Sequence, residues 1–172
     1  MIKAKKFFAV FLLAVVFFWA VKLIKAAEES SVTATVTAQS LSVSVADGTV
    51  SYGVLGVGTS ATTATGDGDA LSDSQDAVNI GNTAEKFNVR GQDSTNWTLG
   101  ANPGSETYSH DFCTSNCDAS PSWTALTTSN ITLVASIGIG STQNFDLRLK
   151  MPSSTSTYTS QTVSVTVQAT TP

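Results

Sequence analysis

The residues best equipped for chemistry are two cysteines and a run of aspartates. Cys113 and Cys117 enclose Thr114-Ser115-Asn116. In an oxidising compartment such a pair closes a disulfide. The ring is small, so its role is local shape rather than a large reduction of unfolded-chain entropy. His110, Asp111 and Asp118 lie in the same stretch, so a mixed Zn²⁺ or Cu site is one alternative and a free or redox-active dithiol another. The spacing lacks the Cys-x-x-Cys of structural zinc sites and redox motifs, which favours the disulfide. Asp67, Asp69, Asp73 and Asp76 place four carboxylates within ten residues, interleaved with small side chains. Ca²⁺ takes roughly six to eight oxygens, and a turning loop with Asp at alternate positions can supply them. The EF-hand spacing is matched only at its first two ligands. The competing reading is a solvated loop whose charge discourages edge-to-edge association. Asn96-Trp97-Thr98 and Asn130-Ile131-Thr132 are sequons, so Asn96 and Asn130 accept glycan if the host glycosylates exported chains.

Catalysis has less to work with. The chain holds one histidine, His110, beside Asp111, and adjacent residues rarely face each other productively. Neither a Gly-x-Ser-x-Gly elbow nor a phosphate-binding glycine loop occurs. Two carboxylates would serve a glycosidase, yet nothing singles out a pair among the 13 acids. Trp97, Trp123, Tyr108 and Tyr158 would make a carbohydrate platform if exposed, but core packing is the stronger expectation for the two tryptophans. The expectation is a protein that is not an enzyme.

Charge and export signals set the context for these residues. Lys3, Lys5, Lys6, Lys22 and Lys25 lie before Ala26, and all 13 acids lie beyond Ala27. From residue 28 onward four bases face 13 acids, a net charge of −9. Such a surface repels phosphate backbones and excludes nucleic acid as a partner. The 23 Ser and 25 Thr also fall entirely after Ala27, a composition that suits an exported β protein. Residues 7–21 form an uninterrupted apolar run behind three lysines. It is long for a signal-peptide core and short of the ~20 residues that span a bilayer. Cleavage after Ala26 would put Ile24 at −3, and cleavage after Ala27 would put Lys25 there, so the small-x-small site is half present. Residues 1–27 are therefore read as a signal peptide or, if retained, an N-terminal membrane anchor helix, the chain's only route to a membrane. Residues 28–172 are read as one extracellular or cell-surface domain. No cofactor is required, and Ca²⁺ is the one ion for which the sequence offers a place.

The elements that must position these residues follow a period of two. Val32, Ala34, Val36 and Ala38 alternate with threonines. Leu41, Val43 and Val45 alternate in the opposite phase, which predicts a bulge or sheet change at Gln39-Ser40. Asp47-Gly48 marks a turn, and residues 50–57 read as a strand. Residues 58–76 read as a loop or an irregular edge strand. Residues 77–80 and 87–89 read as a hairpin around Gly81-Asn82. Residues 100–122, with Pro103, Gly104, Pro121 and both cysteines, read as a long loop, functional or stapled. Ile131, Leu133, Ala135 and Ile137 alternate again. Phe145, Leu147, Leu149 and Met151 give the cleanest strand, with Asp146, Arg148 and Lys150 predicted to face water. Val163, Val165 and Val167 give the last. The pattern predicts an all-β chain: an antiparallel β-sandwich of about eight strands, immunoglobulin-like or jelly-roll.

Tyr52-Gly53-Val54-Leu55-Gly56-Val57-Gly58, then Ala77-Val78-Asn79-Ile80-Gly81-Asn82-Thr83, then Phe87-Asn88-Val89-Arg90-Gly91 resemble a run found in immunoglobulin-like β-sandwich domains of microbial secreted and cell-surface proteins. The resemblance covers about residues 41–93. Trp97-Thr98-Leu99 is similar to the Trp-x-Leu motif of cell-wall-binding surface domains, although the second motif expected near the C-terminus is replaced by Val165-Thr166-Val167. The resemblance implies a fold and a surface address and brings no catalytic residue. The expected function is a non-catalytic exported structural or interaction module. The alternatives are a carbohydrate- or Ca²⁺-binding module and a strand-exchanging subunit of a surface fibre or layer. The expected partners are further copies, joined through edge strands, or cell-wall and surface glycans. Residues 31–45, long and rich in Val and Thr, suit strand donation.

Overall fold

The computed structural model describes residues 29–65 and 71–172. The export segment 1–27, with its expected helix, and Asp67 and Asp69 lie outside the described residues. The chain divides into two units, Met1–Thr37 and Ala38–Pro172. In the first, residues 29–37 are exposed and carry no regular secondary structure; Val32 is 93% and Val36 94% exposed. The strand predicted from Val32 onward is therefore not formed, because its apolar alternation has no face to pack against.

The second unit is all-β, with ten strands and no helix among the described residues. They are β1 (Val43–Ala46), β2 (Ser60–Thr62), β3 (Gln75–Asn79), β4 (Glu85–Arg90), β5 (Thr98–Leu99), β6 (Thr107–Cys113), β7 (Thr124–Ala125), β8 (Ile131–Ile137), β9 (Thr142–Lys150) and β10 (Thr166–Thr170). Seven form one sheet in the order β1-β3-β9-β6-β5, with β2 also on β9 and β7 also on β6. The other sheet is β10-β4-β8. All pairings are antiparallel except the two-residue β5–β6 contact.

The alternation on β9 explains the sandwich. Phe145, Leu147 and Leu149 point to one face and are buried. Phe145 and Leu147 meet Phe87 and Val89 of β4, Leu133 and Ile137 of β8, and Phe112 of β6 in a core between the sheets. Each such side chain contributes about 1.5–3 kcal/mol on burial. Trp97, Tyr108 and Leu149 build a second, smaller cluster, packed by Tyr52, Leu55 and Val163. The Tyr108 hydroxyl is satisfied by the Gln92 carbonyl.

Four expectations are corrected. First, β3 and β4 are not a hairpin; they belong to opposite sheets, and residues 80–84 carry the chain across. Asn79, fully buried, stitches this crossover: its Nδ2 donates to Thr83 O (2.8 Å) and Ile137 O (3.1 Å), and its Oδ1 accepts from Gly81 N (2.9 Å). A Cβ on Gly81 would lie 2.1 Å from Glu85 Oε1 and 2.5 Å from Ser40 O, so only glycine passes there. Second, residues 100–122 are not all loop, because β6 runs through them and pairs with five residues of β9. Third, residues 58–76 are not loop throughout: the strand alternative is realised in β2, which adds to β9, and residues 61–64 are buried rather than solvated. Fourth, residues 50–57 have strand-like composition but join no strand among the described residues. At the predicted bulge, Asn82 acts as a substitute backbone: its Oδ1 accepts from Ser40 N and its Nδ2 donates to Ala38 O, both at 2.8 Å.

Candidate functional site

The two faces of β6 and β9 hold the candidate chemistry. On the outer face, Ser109, Asp111 and Cys113 alternate along β6, and Asp146, Arg148 and Lys150 along β9. Asp111 is buried, and one carboxylate oxygen takes Arg148 Nε at 2.9 Å, Arg148 Nη2 at 2.5 Å and Lys150 Nζ at 2.9 Å. Its other oxygen accepts from Ser109 Oγ at 2.9 Å. Burial alone would raise its pKa, but the hydrogen bonds from Lys150, Arg148 and Ser109 hold the carboxyl below its ordinary range. The Arg148 guanidinium also lies 4.7 Å from the centre of the Trp123 ring. Asp146, 3% exposed, accepts from Thr63 Oγ1 (2.9 Å) and Ser74 Oγ (2.6 Å). The expectation that Asp146, Arg148 and Lys150 face water is thus corrected: residues 61–64 and 73–75 cover Asp146, and Arg148 and Lys150 are spent on Asp111. Alternation placed them off the core face, but it carries no information on a second layer outside it.

On the inner face, His110 lies in β6 and is buried, rather than in a loop. Its Nε2 is 3.0 Å from the Tyr52 hydroxyl. Burial, with the charges of Asp73 and Asp146 adding to it, pushes the Tyr52 pKa upward, so Tyr52 keeps its proton. The two side chains share one hydrogen bond, and His110 Nδ1 is buried with no partner among the described residues. Burial pushes the His110 pKa down to about 4, against a smaller opposing pull from Asp111. The pair is thus a neutral, half-satisfied histidine hydrogen-bonded to a protonated tyrosine.

Beside this pair lies a cavity of about 900 Å³. Leu147, Leu149, Trp97 and His110 form its floor, and residues 48–57 and 157–165 form its walls. Among the described residues, no main-chain N–H of residues 49–57 or 158–165 donates a hydrogen bond. Tyr52, Leu55 and Val163 pack inward against the Trp97–Tyr108–Leu149 cluster, while Val54 and Tyr158 are fully or largely exposed; the left-handed Gly53 (φ 68°) turns the first wall between Tyr52 and Val54. Most of the floor is sheet; the walls are two segments that join no strand among the described residues.

The other predicted residues fall as follows. Cys113 and Cys117 stand at disulfide distance, with Cα atoms 5.9 Å apart. The pair sits where β6 ends, closing the turn that follows. Asp73 Oδ1 accepts from Gln75 Nε2 (3.1 Å) and Asp76 Oδ1 from Asn144 Nδ2 (3.0 Å). Among the described residues no three His, Cys, Asp or Glu side chains gather as a metal set. Asn96 and Asn130 are exposed. Their amides reach Gln161 Oε1 (3.3 Å) and Gln168 Oε1 (2.6 Å). Trp97 is buried, its Nε1 donating to Thr155 Oγ1 at 2.9 Å, and Tyr108 is buried in the same cluster. Only Tyr158, 84% exposed, is open among the aromatics weighed as a sugar platform. No protein-family model matches the chain, and no curated protein or solved structure matches it either. Sequence reasoning missed Tyr52 and Asp146 as site-forming residues. The one available signal for Tyr52 was an aromatic amid small residues in an unusually glycine-rich stretch.

Proposed function

We propose that this chain is an exported, non-catalytic surface module of the immunoglobulin-like sandwich type, and that it works by interaction through the open flank of its sandwich. The observation that carries the reading is the cavity walled by two segments outside any strand, residues 49–57 and 158–165, whose main-chain N–H groups donate no hydrogen bond among the described residues. Unpaired strand-like backbone beside an apolar floor is a template for β-augmentation, in which main-chain hydrogen bonds give affinity and alternate side chains give register. The surface beyond residue 27 bears the acidic, lysine-poor composition of exported proteins, and the apolar run of residues 7–21 behind Lys3, Lys5 and Lys6 supports the address. The immunoglobulin-like type is supported by the two-sheet core and by the crossover between sheets at Asn79–Gly81.

Fractionation of cells expressing the full chain, with N-terminal sequencing of the recovered protein, tests the address. Recovery outside the cytoplasmic membrane or on its outer face is expected. The chain would start near residue 27 if the signal is cleaved, or at Met1 if it is retained as an anchor. Recovery in the soluble cytoplasmic fraction with Met1 intact would overturn the reading.

A further inference from the structure

We propose that the open flank is filled by residues 31–37 of a second copy of this chain, laid as a strand between residues 49–57 and 158–165. This rests on the reading of the flank as an interaction surface and names its occupant. Three observations converge on that segment. It is apolar at alternate positions, Val32, Ala34 and Val36, with Thr33, Thr35 and Thr37 between them. A strand that sends one face into an apolar cavity and the other to water needs this pattern. It is unpaired: residues 31–37 carry no secondary structure, and Val32 and Val36 are almost wholly exposed. Isolated valines at that exposure are a cost that a partner would relieve. Its dimensions also agree. Seven residues in a strand span about 23 Å, and the walls that would pair with them are nine and eight residues long.

The chemistry of the acceptor is complementary. The floor offers Leu147, Leu149 and Trp97, and the walls offer main-chain N–H and C=O groups on both sides. Neither residues 30–37 nor the two walls contain a charged residue, so insertion desolvates no ion. Added there, the segment would supply main-chain partners to both walls at once, which a small apolar ligand in the cavity cannot do. Each chain carries one donor and one acceptor, so the contact is heterologous and propagates head to tail unless the geometry closes a ring.

The test compares the full wild-type chain, in one detergent micelle condition throughout, with the full chain carrying Val32→Asp and Val36→Asp. The substituted residues are solvent-exposed in the single copy, so the fold of the second unit does not depend on them. The wild-type chain is expected to form concentration-dependent oligomers by light scattering, and the double variant to self-associate more than ~100-fold more weakly. A synthetic peptide with the sequence of residues 31–37 should bind the double variant, raise its melting temperature and shift Trp97 fluorescence. The same peptide with Asp at both valine positions should do none of these. If the wild-type chain is monomeric throughout, self-association fails and the donor assignment with it. If both chains oligomerise equally and the peptide does not bind, the interaction reading survives through another surface, but the donor assignment is wrong. If an apolar dye binds the cavity and the peptide neither binds nor displaces it, the cavity is a small-ligand site and the proposal falls.

Discussion

His110 makes acid stability measurable at one residue. It is buried in β6 between Tyr52 and Tyr108, with ring centroids 5.9 and 6.5 Å away. Asp111, the next residue, points to the opposite face and is already paired with Arg148 and Lys150. Burial holds the imidazole neutral, and its pKa falls from 6.5 to about 4. The folded pKa is depressed, so the unfolded chain binds the extra proton first as pH falls. Stability attributable to His110 is complete above about pH 6.5 and is lost progressively down to about pH 4. At about 1.36 kcal/mol per pKa unit, the loss is about 3.4 kcal/mol in full and about 2.5 kcal/mol at pH 4.5. Urea unfolding at pH 7.5 and pH 4.5, in the wild-type chain and in His110→Gln, isolates the effect. The variant starts less stable because it repacks the Tyr52 contact, but its change between the two pH values should be smaller by about 2–3 kcal/mol. An NMR titration placing the His110 pKa near 6.5, or equal pH dependence in the two proteins, would refute the burial argument.

Other expectations follow from the same geometry. Leu147→Ala should cost about 2–5 kcal/mol in urea unfolding, because Leu147 fills the main core. Arg148→Ala should cost about 1–3 kcal/mol, more than the ~0.5 kcal/mol of a free surface cation, since buried Asp111 would retain only Lys150 and Ser109; a cost no larger than that of a control surface lysine would show the pair to be idle. Asp146→Ala, which strips the acceptor from Thr63 and Ser74, should cost a similar ~1–3 kcal/mol. Mass spectrometry without reductant should find no alkylatable thiol at Cys113 or Cys117. The double Cys→Ser variant should still fold, losing about 2 kcal/mol or less for so short a ring; failure to fold would assign the bridge a larger role than local shape.

The parts of the fold legible in the sequence were those whose two faces differ in polarity. β9 follows the alternation closely, and Phe145, Leu147 and Leu149 were placed correctly in the core; β8 forms but leaves Ala135 exposed, and the last strand starts at Thr166 rather than Val163. β6 was hidden because its outward residues, Ser109, Asp111 and Cys113, look like loop residues when their ionic partners lie 37–39 positions away on β9. β2 was hidden because Ala61, Thr62 and Thr63 are small enough to be buried under a polar layer without an apolar signature. Residues 50–57 misled in the opposite direction, since alternation records the side chains and not whether a neighbouring backbone is present. The Gly81-Asn82 break was seen, but a turn between strands of one sheet and a crossing between two sheets use the same residue types. Of the candidate site, the cysteine pair was legible from spacing alone. The flank was not, because it depends on which segments lack partners.

The most direct measurement is hydrogen–deuterium exchange at the amides of residues 49–57 and 158–165, in dilute chain and in assembled chain. These N–H groups have no main-chain acceptor in the single copy, so they should exchange rapidly when the chain is dilute, while those of β9 stay protected. On assembly both walls should become protected together, along with residues 31–37. Protection of the walls in dilute monomer, or no change on assembly, would contradict the account of an open flank that works by taking in a strand.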